Sequence, residues 1–284
     1  MTFEGKRALV TGAASGMGRA VAELLIAHGA QVDGFDLAPV EVPGVRPHRV
    51  DLRDPESIEA AAAEVPDLAG VDLVLHCAGL PHTFDPVQIM RVNFLGLRRL
   101  NELWAAGLRE GASIGIIAST GGLGWPTQLS EIQQLLAIDG DDAALEWCRA
   151  HPELIADGGA AYRFSKACVI VYVMSQAVPL LRRGIRINST SPGDTATPMT
   201  PHFERFYGAD FWDAVPRPAG RPATVEEQAR ALLFLVGEDA AYVAGTNLVV
   251  DGGQLAGIVT GQLTMPARPA ADCESVPDAQ EANA

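Results

Sequence analysis

Short apolar runs, turn residues and amphipathic stretches alternate from residue 7 to about residue 255 without a linker. The strand-like runs are RALVT, AQVDGF, RPHRV, VDLVLH, SIGIIAS, GIRINST and NLVV, in that order. Between them the spacing changes to that of helices. Val21, Leu24, Leu25 and His28 follow the first run, with Gly29 as a stop. Asp54-Pro55 supplies an N-cap and a first-turn proline for a helix through Glu64. Met90, Phe94, Leu97, Asn101, Trp104 and Leu108 mark one face of a long helix after Asp85-Pro86. A further helix is expected over about Ala160 to Leu181, and Thr224 with Glu227 forms a capping-box pattern before another ending near Gly237. Strands separated by helices pair side by side through crossovers, which makes the sheet parallel and covers both its faces. The expectation is α/β: one doubly wound domain over residues 1–262, with a central parallel sheet of about seven strands.

Composition narrows the partners. A net charge of −14 over 284 residues argues against nucleic acid. Cys77, Cys148, Cys168 and Cys273 are scattered, with neither a CxxC pair nor a histidine at ligand spacing. They read as reduced intracellular thiols, with no metal site expected. The start, MTFEGKRALV, lacks the layout of a signal peptide. The longest apolar stretch, ACVIVYVMSQAVPLL, is short for a membrane span and is broken by Ser175, Gln176 and Pro179. A cytoplasmic protein without a membrane partner is expected. Residues 263–284, rich in Pro and Ala and acidic, are expected to be a disordered tail.

The turn TGAASGMG places Gly12, Gly16 and Gly18 where the first strand hands over to a helix. Either the turn is merely tight, or a ligand approaches its backbone. Glycines there let a pyrophosphate come close, and the helix N-terminus offers free N–H groups and partial positive charge. Two acids favour the ligand. Asp36 ends the second run, where a carboxylate can bond ribose hydroxyls, and Asp51 with Leu52 ends the third, where an adenine can lie. The fold expected is therefore of Rossmann type. A carboxylate at 36 repels a 2′-phosphate, LAPV after it holds no base, and Ser15 rather than a base precedes Gly16. NAD is preferred over NADP; Arg19 is the one nearby base.

Tyr162 and Lys166, four apart, share a helix face. A phenol near pKa 10 is a poor base, but a neighbouring ammonium favours the phenolate. Lowering it by about three units takes ~4 kcal/mol, which Lys166 and a cationic nicotinamide ring can supply in a dry cleft. The phenolate can then accept a proton from an alcohol while hydride leaves. Ser119, at the carboxyl end of the fifth run, can orient the substrate oxygen.

TGAASGMG, CAG at 77–79, RVNFLG at 91–96, IIASTGG, YRFSK and SPGDTATPM occur in the order seen in the short-chain dehydrogenases/reductases. The resemblance covers roughly residues 5–255. It implies a catalytic tetrad of Asn93, Ser119, Tyr162 and Lys166, with Asn93 holding a water that relays protons to Lys166. It also implies NAD contacts from Gly12, Ser15, Gly16, Met17, Gly18, Asp36, Asp51, Leu52, Cys77, Ala78 and Gly79. Tyr162, Lys166, Pro192, Gly193, Thr195 and Thr197 would contact the nicotinamide end. Two departures stand out. Cys77 replaces the family's Asn, which alters local support of the sheet. Ser119 and Tyr162 lie 43 positions apart, far beyond the family norm, owing to an insertion over about 126–159. Ile132, Leu135 and Leu136 suggest one helix in it; Ala144, Leu145, Trp147 and Cys148 suggest another. A comparable insertion, the CAG and the Pro-Gly-x-Thr-x-Thr-Pro run resemble the subgroup of bacterial 3α-hydroxysteroid dehydrogenase/carbonyl reductase and coniferyl-alcohol dehydrogenase-like members. The insertion either decorates the surface or covers a helix face that relatives use to build tetramers, leaving a homodimer.

Residues 198–218 carry Phe203, Phe206, Tyr207, Phe211 and Trp212. They read as a helix pair packed on the core or as an aromatic lid, which His82 and Trp125 would border. With no cluster of bases, a small-molecule substrate is expected: a bulky, largely uncharged steroid, terpenoid or aryl-allylic alcohol, or the matching carbonyl. Three alternatives stay open. They are a non-catalytic NAD-sensing or scaffolding protein, a carbonyl reductase working mainly in the reductive direction, and a sugar-nucleotide epimerase. The last is disfavoured by the absence of a long C-terminal substrate domain.

Overall fold

In the computed structural model, which describes residues 2–267, seven strands form one wholly parallel sheet. They are β1 (Arg7–Thr11), β2 (Gln31–Asp36), β3 (Val45–Arg49), β4 (Leu73–His76), β5 (Ser113–Ile117), β6 (Arg186–Pro192) and β7 (Asn247–Val250). Their order is β3-β2-β1-β4-β5-β6-β7, so the chain reverses its direction of winding between β1 and β4. That switch point opens a crevice beyond the carboxyl ends of the strands. The interior strands β1, β4 and β5 are almost entirely buried, as a sheet covered on both faces requires. β3 is an edge and tolerates Pro47, whose missing N–H costs an edge strand nothing on its open side. Its attachment is electrostatic. The buried Asp33 of β2 accepts from Arg7 at 3.1 Å, Arg46 at 3.0 Å and His48 Nε2 at 2.9 Å, and His48 stacks on Phe35.

The start and stop signals act as read. Asp54 caps Pro55–Ala63 by accepting from the Glu56 N–H, and Thr224 with Glu227 completes both bonds of the capping box on Val225–Val236. Gly29 takes a φ of +89° just beyond the helix Gly16–Ala27. The long helix after Asp85-Pro86 departs from expectation. It runs as Pro86–Met90, a π-helical stretch Arg91–Gly96, and Leu97–Gly107. A π-turn admits an extra residue and re-aims the side chains around it, and Asn93 sits inside this one.

The helix Gly158–Leu181 is apolar and long enough to cross a membrane by length and composition, yet two-thirds of its apolar window is buried inside the protein. It packs beside β6 and carries Tyr162 and Lys166. The insertion leans on it. Its helices Leu129–Leu136 and Asp141–Ala150 bury Ile132, Leu135, Ala144, Leu145 and Cys148 in the same core cluster as Phe94, Leu100 and Tyr172. The segment belongs to the core and is not surface decoration. Arg99 joins it to the nucleotide-side helix by pairing with both Asp141 and Glu59. Residues 263–267 have no regular structure, and the rest of the expected tail lies outside the described residues.

Truncating a core side chain costs about 2–5 kcal/mol, because the lost burial is compounded by a cavity. Leu135→Ala should therefore lower unfolding stability in urea by about 2–4 kcal/mol. Gln134→Ala, on the exposed side of the same helix, should change it by under about 0.5 kcal/mol.

Candidate active site

The crevice begins at the glycine turn. Gly12 and Gly16 adopt φ of +71° and +54°, values that glycine alone takes without strain. A Cβ on Gly12 would lie 2.7 Å from the Ala78 nitrogen, and one on Gly18 would lie 2.1 Å from the Gly12 carbonyl. The turn is thus pressed against the Cys77-Ala78 segment leaving β4. Thr11 supports that segment, its hydroxyl accepting from the Cys77 and Ala78 N–H groups at 3.2 and 3.3 Å. Ser15 is the N-cap of Gly16–Ala27, yet its hydroxyl caps nothing. The N–H groups of the first helical turn, from Gly16, Met17 and Gly18, have no intrahelical partner.

Asp36 ends β2 and accepts from the Ala14 and Ala38 N–H groups, both at 3.0 Å. These bonds fix its carboxylate beside the turn. Asp51 is gripped by Arg53 through Nε at 2.8 Å, Nη2 at 2.7 Å and the backbone N–H. The Arg53 guanidinium holds its carboxyl below the usual range. Leu52 beside it is buried. Arg19, the base nearest the turn, is paired with Glu23 at 2.8 Å. Cys77 is half-buried rather than sealed in the core, and burial pushes its thiol up to about 12 while the nearby Lys166 pulls it down.

Beyond β4 and β5 the polar side chains converge. Asn93, fully buried, accepts from the Leu80 N–H at 2.6 Å and returns a bond to the Leu80 carbonyl at 3.0 Å. A Cβ on Gly79 would meet Asn93 Oδ1 at 3.3 Å and Lys166 Nζ at 3.5 Å, so both groups border the same point. Lys166 Nζ donates to the Ile117 carbonyl at the end of β5, 3.1 Å away. Ser119, two residues on, accepts from the Gly121 N–H at 3.1 Å, and a Cβ on Gly121 would lie 3.4 Å from its Oγ and 3.5 Å from Tyr162 Cε1, so the two side chains border the same point. Asn93, Ser119, Tyr162 and Lys166 therefore come together from three separate elements.

The electrostatics correct one expectation. Burial pushes Tyr162 up to about 12; the nearby Ser119 hydroxyl opposes the rise and Tyr207 adds to it. Burial drives Lys166 down to about 8. Lys166 does not acidify the phenol in this arrangement, because Nζ is turned to the Ile117 carbonyl and stands 6.0 Å from the phenol ring centre. Desolvation outweighs that charge at such a distance.

On the other side lies the aromatic segment, the helices Thr200–Tyr207 and Ala209–Ala214 joined by Gly208 at φ +83°. His82 is enclosed there by Phe203, Phe206 and Tyr207, and Phe203 also meets Tyr162 edge-on at 5.7 Å. Trp125 opens the 3₁₀ turn Trp125–Gln128 and, like Tyr162, packs partly buried on the larger core cluster. Pro192 and Gly193 leave β6 in close contact with Asp251, where a Cβ on Gly193 would be 2.7 Å from the Asp251 Cβ. The Thr195 hydroxyl donates to the Gly193 carbonyl and accepts from the buried Gln228, and Thr197 bonds Met199 and Thr200. Both threonine hydroxyls thus shape their own loop.

Arg217 escaped the reading of the sequence. It pairs with Asp194, donates to the Trp212 carbonyl at 3.1 Å and lies over the Trp212 ring, clamping the base of the aromatic segment to the loop after β6. Asp194 and Arg217 are 23 positions apart, and no local pattern announces the pair. Thr11 was missed likewise, being indistinguishable from any strand residue until its partner strand is known.

A glycine turn at the switch point, an acid ending β2 and a Ser-Tyr-Lys group beyond β5 define a class: the chain belongs to the short-chain dehydrogenase/reductase family and is an oxidoreductase. It is 31% identical to a coniferyl-alcohol dehydrogenase from Pseudomonas sp. over 89% of its own length and 98% of that protein. It is 30% identical to a 3-alpha-hydroxysteroid dehydrogenase/carbonyl reductase from Comamonas testosteroni, covering 86% and 95% of the two chains. Residues 8–122 match the NAD dependent epimerase/dehydratase family, and residues 150–254 match the family described as enoyl-(acyl carrier protein) reductase. The crystal structure of a 3-alpha-hydroxysteroid dehydrogenase from Pseudomonas sp. B-0831, complexed with NADH, superimposes with a TM-score of 0.76 at 28% identity. It covers 91% of this chain and 100% of that one. The resemblance in fold and family read from the motifs is borne out.

Lys166 gives a pH signature. Its folded pKa, about 8, is below the value of about 10.4 for an unfolded lysine, so the unfolded chain binds more protons between them. Stability then rises with pH through this window as the cost of burying an ammonium is relieved. Relative to Lys166→Met, the parent protein should gain about 1–3 kcal/mol between pH 7 and pH 9.5 in chemical unfolding. The upper limit stays below the range where Tyr162 contributes the opposite slope.

Proposed function

We propose that this chain is an NAD-dependent dehydrogenase of bulky, mostly uncharged alcohols, of steroid, terpenoid or aryl-allylic type. Ser119, Tyr162 and Lys166 would be its working groups. The observation that carries the reading is the convergence of the Ser119 hydroxyl and the Tyr162 ring beside Gly121, with Lys166 one turn further along the same helix and aromatic rings closing over the phenol. The two hydroxyls can hold one alcohol oxygen between them, and Tyr162 is the group that takes or gives its proton. Bound NAD supplies the hydride acceptor. Its pyrophosphate would lie on Gly12, Ser15, Gly16, Met17 and Gly18, where no Cβ fits at two positions and the Ser15 hydroxyl is free. Its adenosine would reach Asp36, Asp51 and Leu52, and its nicotinamide end Cys77, Ala78, Gly79 and the Pro192–Thr197 loop. The Asp36 carboxylate, held by the Ala14 and Ala38 N–H groups, supports NAD over NADP; Arg19 is engaged by Glu23, and Arg49 is the base opposite Asp36 on β3.

The pKa of the phenol bears on direction. A tyrosine raised to about 12 keeps its proton and is well placed to donate it to a carbonyl oxygen, which favours a reductive role as the second reading. Oxidation needs further positive charge near the phenol, which the oxidised nicotinamide would bring, joined by Lys166 once its ammonium turns from the Ile117 carbonyl. A purely NAD-sensing protein would need only the glycine turn and Asp36. The buried Asn93 and Lys166, which converge on Gly79, favour the enzyme.

The insertion supports a homodimer. Its helices cover part of Gly158–Leu181, which leaves Met174, Val178 and Leu181 as the exposed apolar residues of that helix. A cytoplasmic setting agrees with three reduced thiols among the described residues. Sedimentation velocity should give a dimer at micromolar concentration; a stable tetramer would refute the covering role of the insertion.

Tyr162→Phe should lower alcohol-dependent NADH formation by about 10²–10⁴-fold while NAD affinity by calorimetry stays within about threefold. Turnover undiminished in that variant would remove Tyr162 from the mechanism.

A further inference from the structure

His82 is a buried polar residue without a polar partner. Its side chain is 2% exposed, and neither ring nitrogen has a hydrogen-bond partner. The ring lies 4.5 Å from Phe203, 4.3 Å from Phe206 and 5.1 Å from Tyr207 by centroids, and 6.1 Å edge-on from Tyr162. Three of these four neighbours are on the helix Thr200–Tyr207, which buries no residue of its own fully. The fourth is the phenol of the Ser-Tyr-Lys group.

The backbone of His82 is held rigidly. A Cβ on Gly158 would come within 1.9 Å of the His82 carbonyl, so the loop is pressed on the first turn of the tyrosine helix. Thr83 next to it bonds His202 at 2.8 Å, joining the same loop to the aromatic segment. An apolar ring would fill this place without leaving donor and acceptor unmatched in an apolar wall, where an unmade bond is costly. Burial first, then the neighbouring His202 and Arg163, push the pKa of His82 down to about 4, so the ring is neutral. A neutral imidazole offers one donor and one acceptor, as a hydroxyl does in return.

Resting on the alcohol-oxidising reading above, we propose that His82 is a specificity-determining residue that hydrogen-bonds a second hydroxyl of the substrate. The preferred substrates are then flat, ring-bearing alcohols with another hydroxyl set apart from the carbinol that reacts. The aromatic rings select the apolar body, and the imidazole, fixed beside Tyr162, selects the polar end. A site built to bond a hydroxyl rejects the analogue lacking it far more strongly than an apolar pocket separates near-isosteres.

The test uses two matched pairs: 4-hydroxycinnamyl alcohol against cinnamyl alcohol, and androstane-3,17-diol against androstan-3-ol. kcat/KM is measured with NAD, and binding of each compound to the protein–NADH complex is followed by calorimetry. In at least one pair the parent protein should favour the dihydroxy member by about 10- to 100-fold in kcat/KM and in affinity. His82→Phe should bring that ratio to within about threefold, whatever it does to both members in common, and His82→Gln, which keeps a donor and an acceptor, should restore part of it. A ratio near one for the parent protein in both pairs, or a ratio unaltered in His82→Phe, overturns the proposal. Equal oxidation of both members leaves the alcohol-dehydrogenase reading standing while this one falls. Hydroxyl-dependent binding without NADH formation from any of the four compounds does the reverse.

Discussion

The site depends on how closely the loop after β5 meets the tyrosine helix. A Cβ on Gly122 would lie 2.5 Å from the carbonyl carbon of Lys166, so the two backbones touch where most chains keep a side chain's width apart. That approach brings the Ser119 hydroxyl and the Tyr162 ring to the same point beside Gly121 and lets Lys166 Nζ reach the Ile117 carbonyl. It has a counterpart across the crevice, where Gly18 touches the Gly12 carbonyl and Gly12 touches Ala78. The contacts at Gly12 and Gly18 shape the glycine turn, and the contact at Gly122 sets the spacing of Ser119 and Tyr162. The parallel sheet delivers both to the same edge, since every strand ends there.

Burial then sets the charges. Burial makes the Tyr162 phenol hold its proton more tightly than in water and the Lys166 ammonium hold its own less tightly. Both shifts favour neutral groups, and both leave room for a charged ligand to reverse them. By contrast Asp36 and Asp51 keep their carboxylates in fixed positions through backbone N–H groups and Arg53. The nucleotide half of the crevice is thus organised by hydrogen bonds and the reacting half by desolvation.

Much of the architecture could be read from the chain because it is written in local signals. The Asp54-Pro55 start, the Thr224–Glu227 box and the alternation of strand and helix each act within a few residues, and each recurs in the structure. Gly12, Gly16, Gly18, Ser119, Tyr162 and Lys166 were legible for a similar reason: their motifs lie next to element ends, where a parallel sheet gathers its functional groups. What escaped is long-range. The π-turn around Asn93 answers to a bond with Leu80, 13 positions away. The engagement of Thr195 by Gln228 and the clamp between Asp194 and Arg217 likewise join distant segments. Spacing along a helix fixes the face that Tyr162 and Lys166 share but not the direction of the Lys166 tip, which turns to the Ile117 carbonyl.

The insertion places its apolar residues in the same core as the helix bearing the reactive phenol, and Arg99 also ties it to the helix that follows the adenine-side strand. Such a segment has little freedom to drift. A change in its packing would bear on the Tyr162 helix on one side and on the helix Pro55–Ala63 on the other. Lineages that lengthen or recast this stretch should therefore retune their chemistry and their outer surface together, as one inherited trait rather than two.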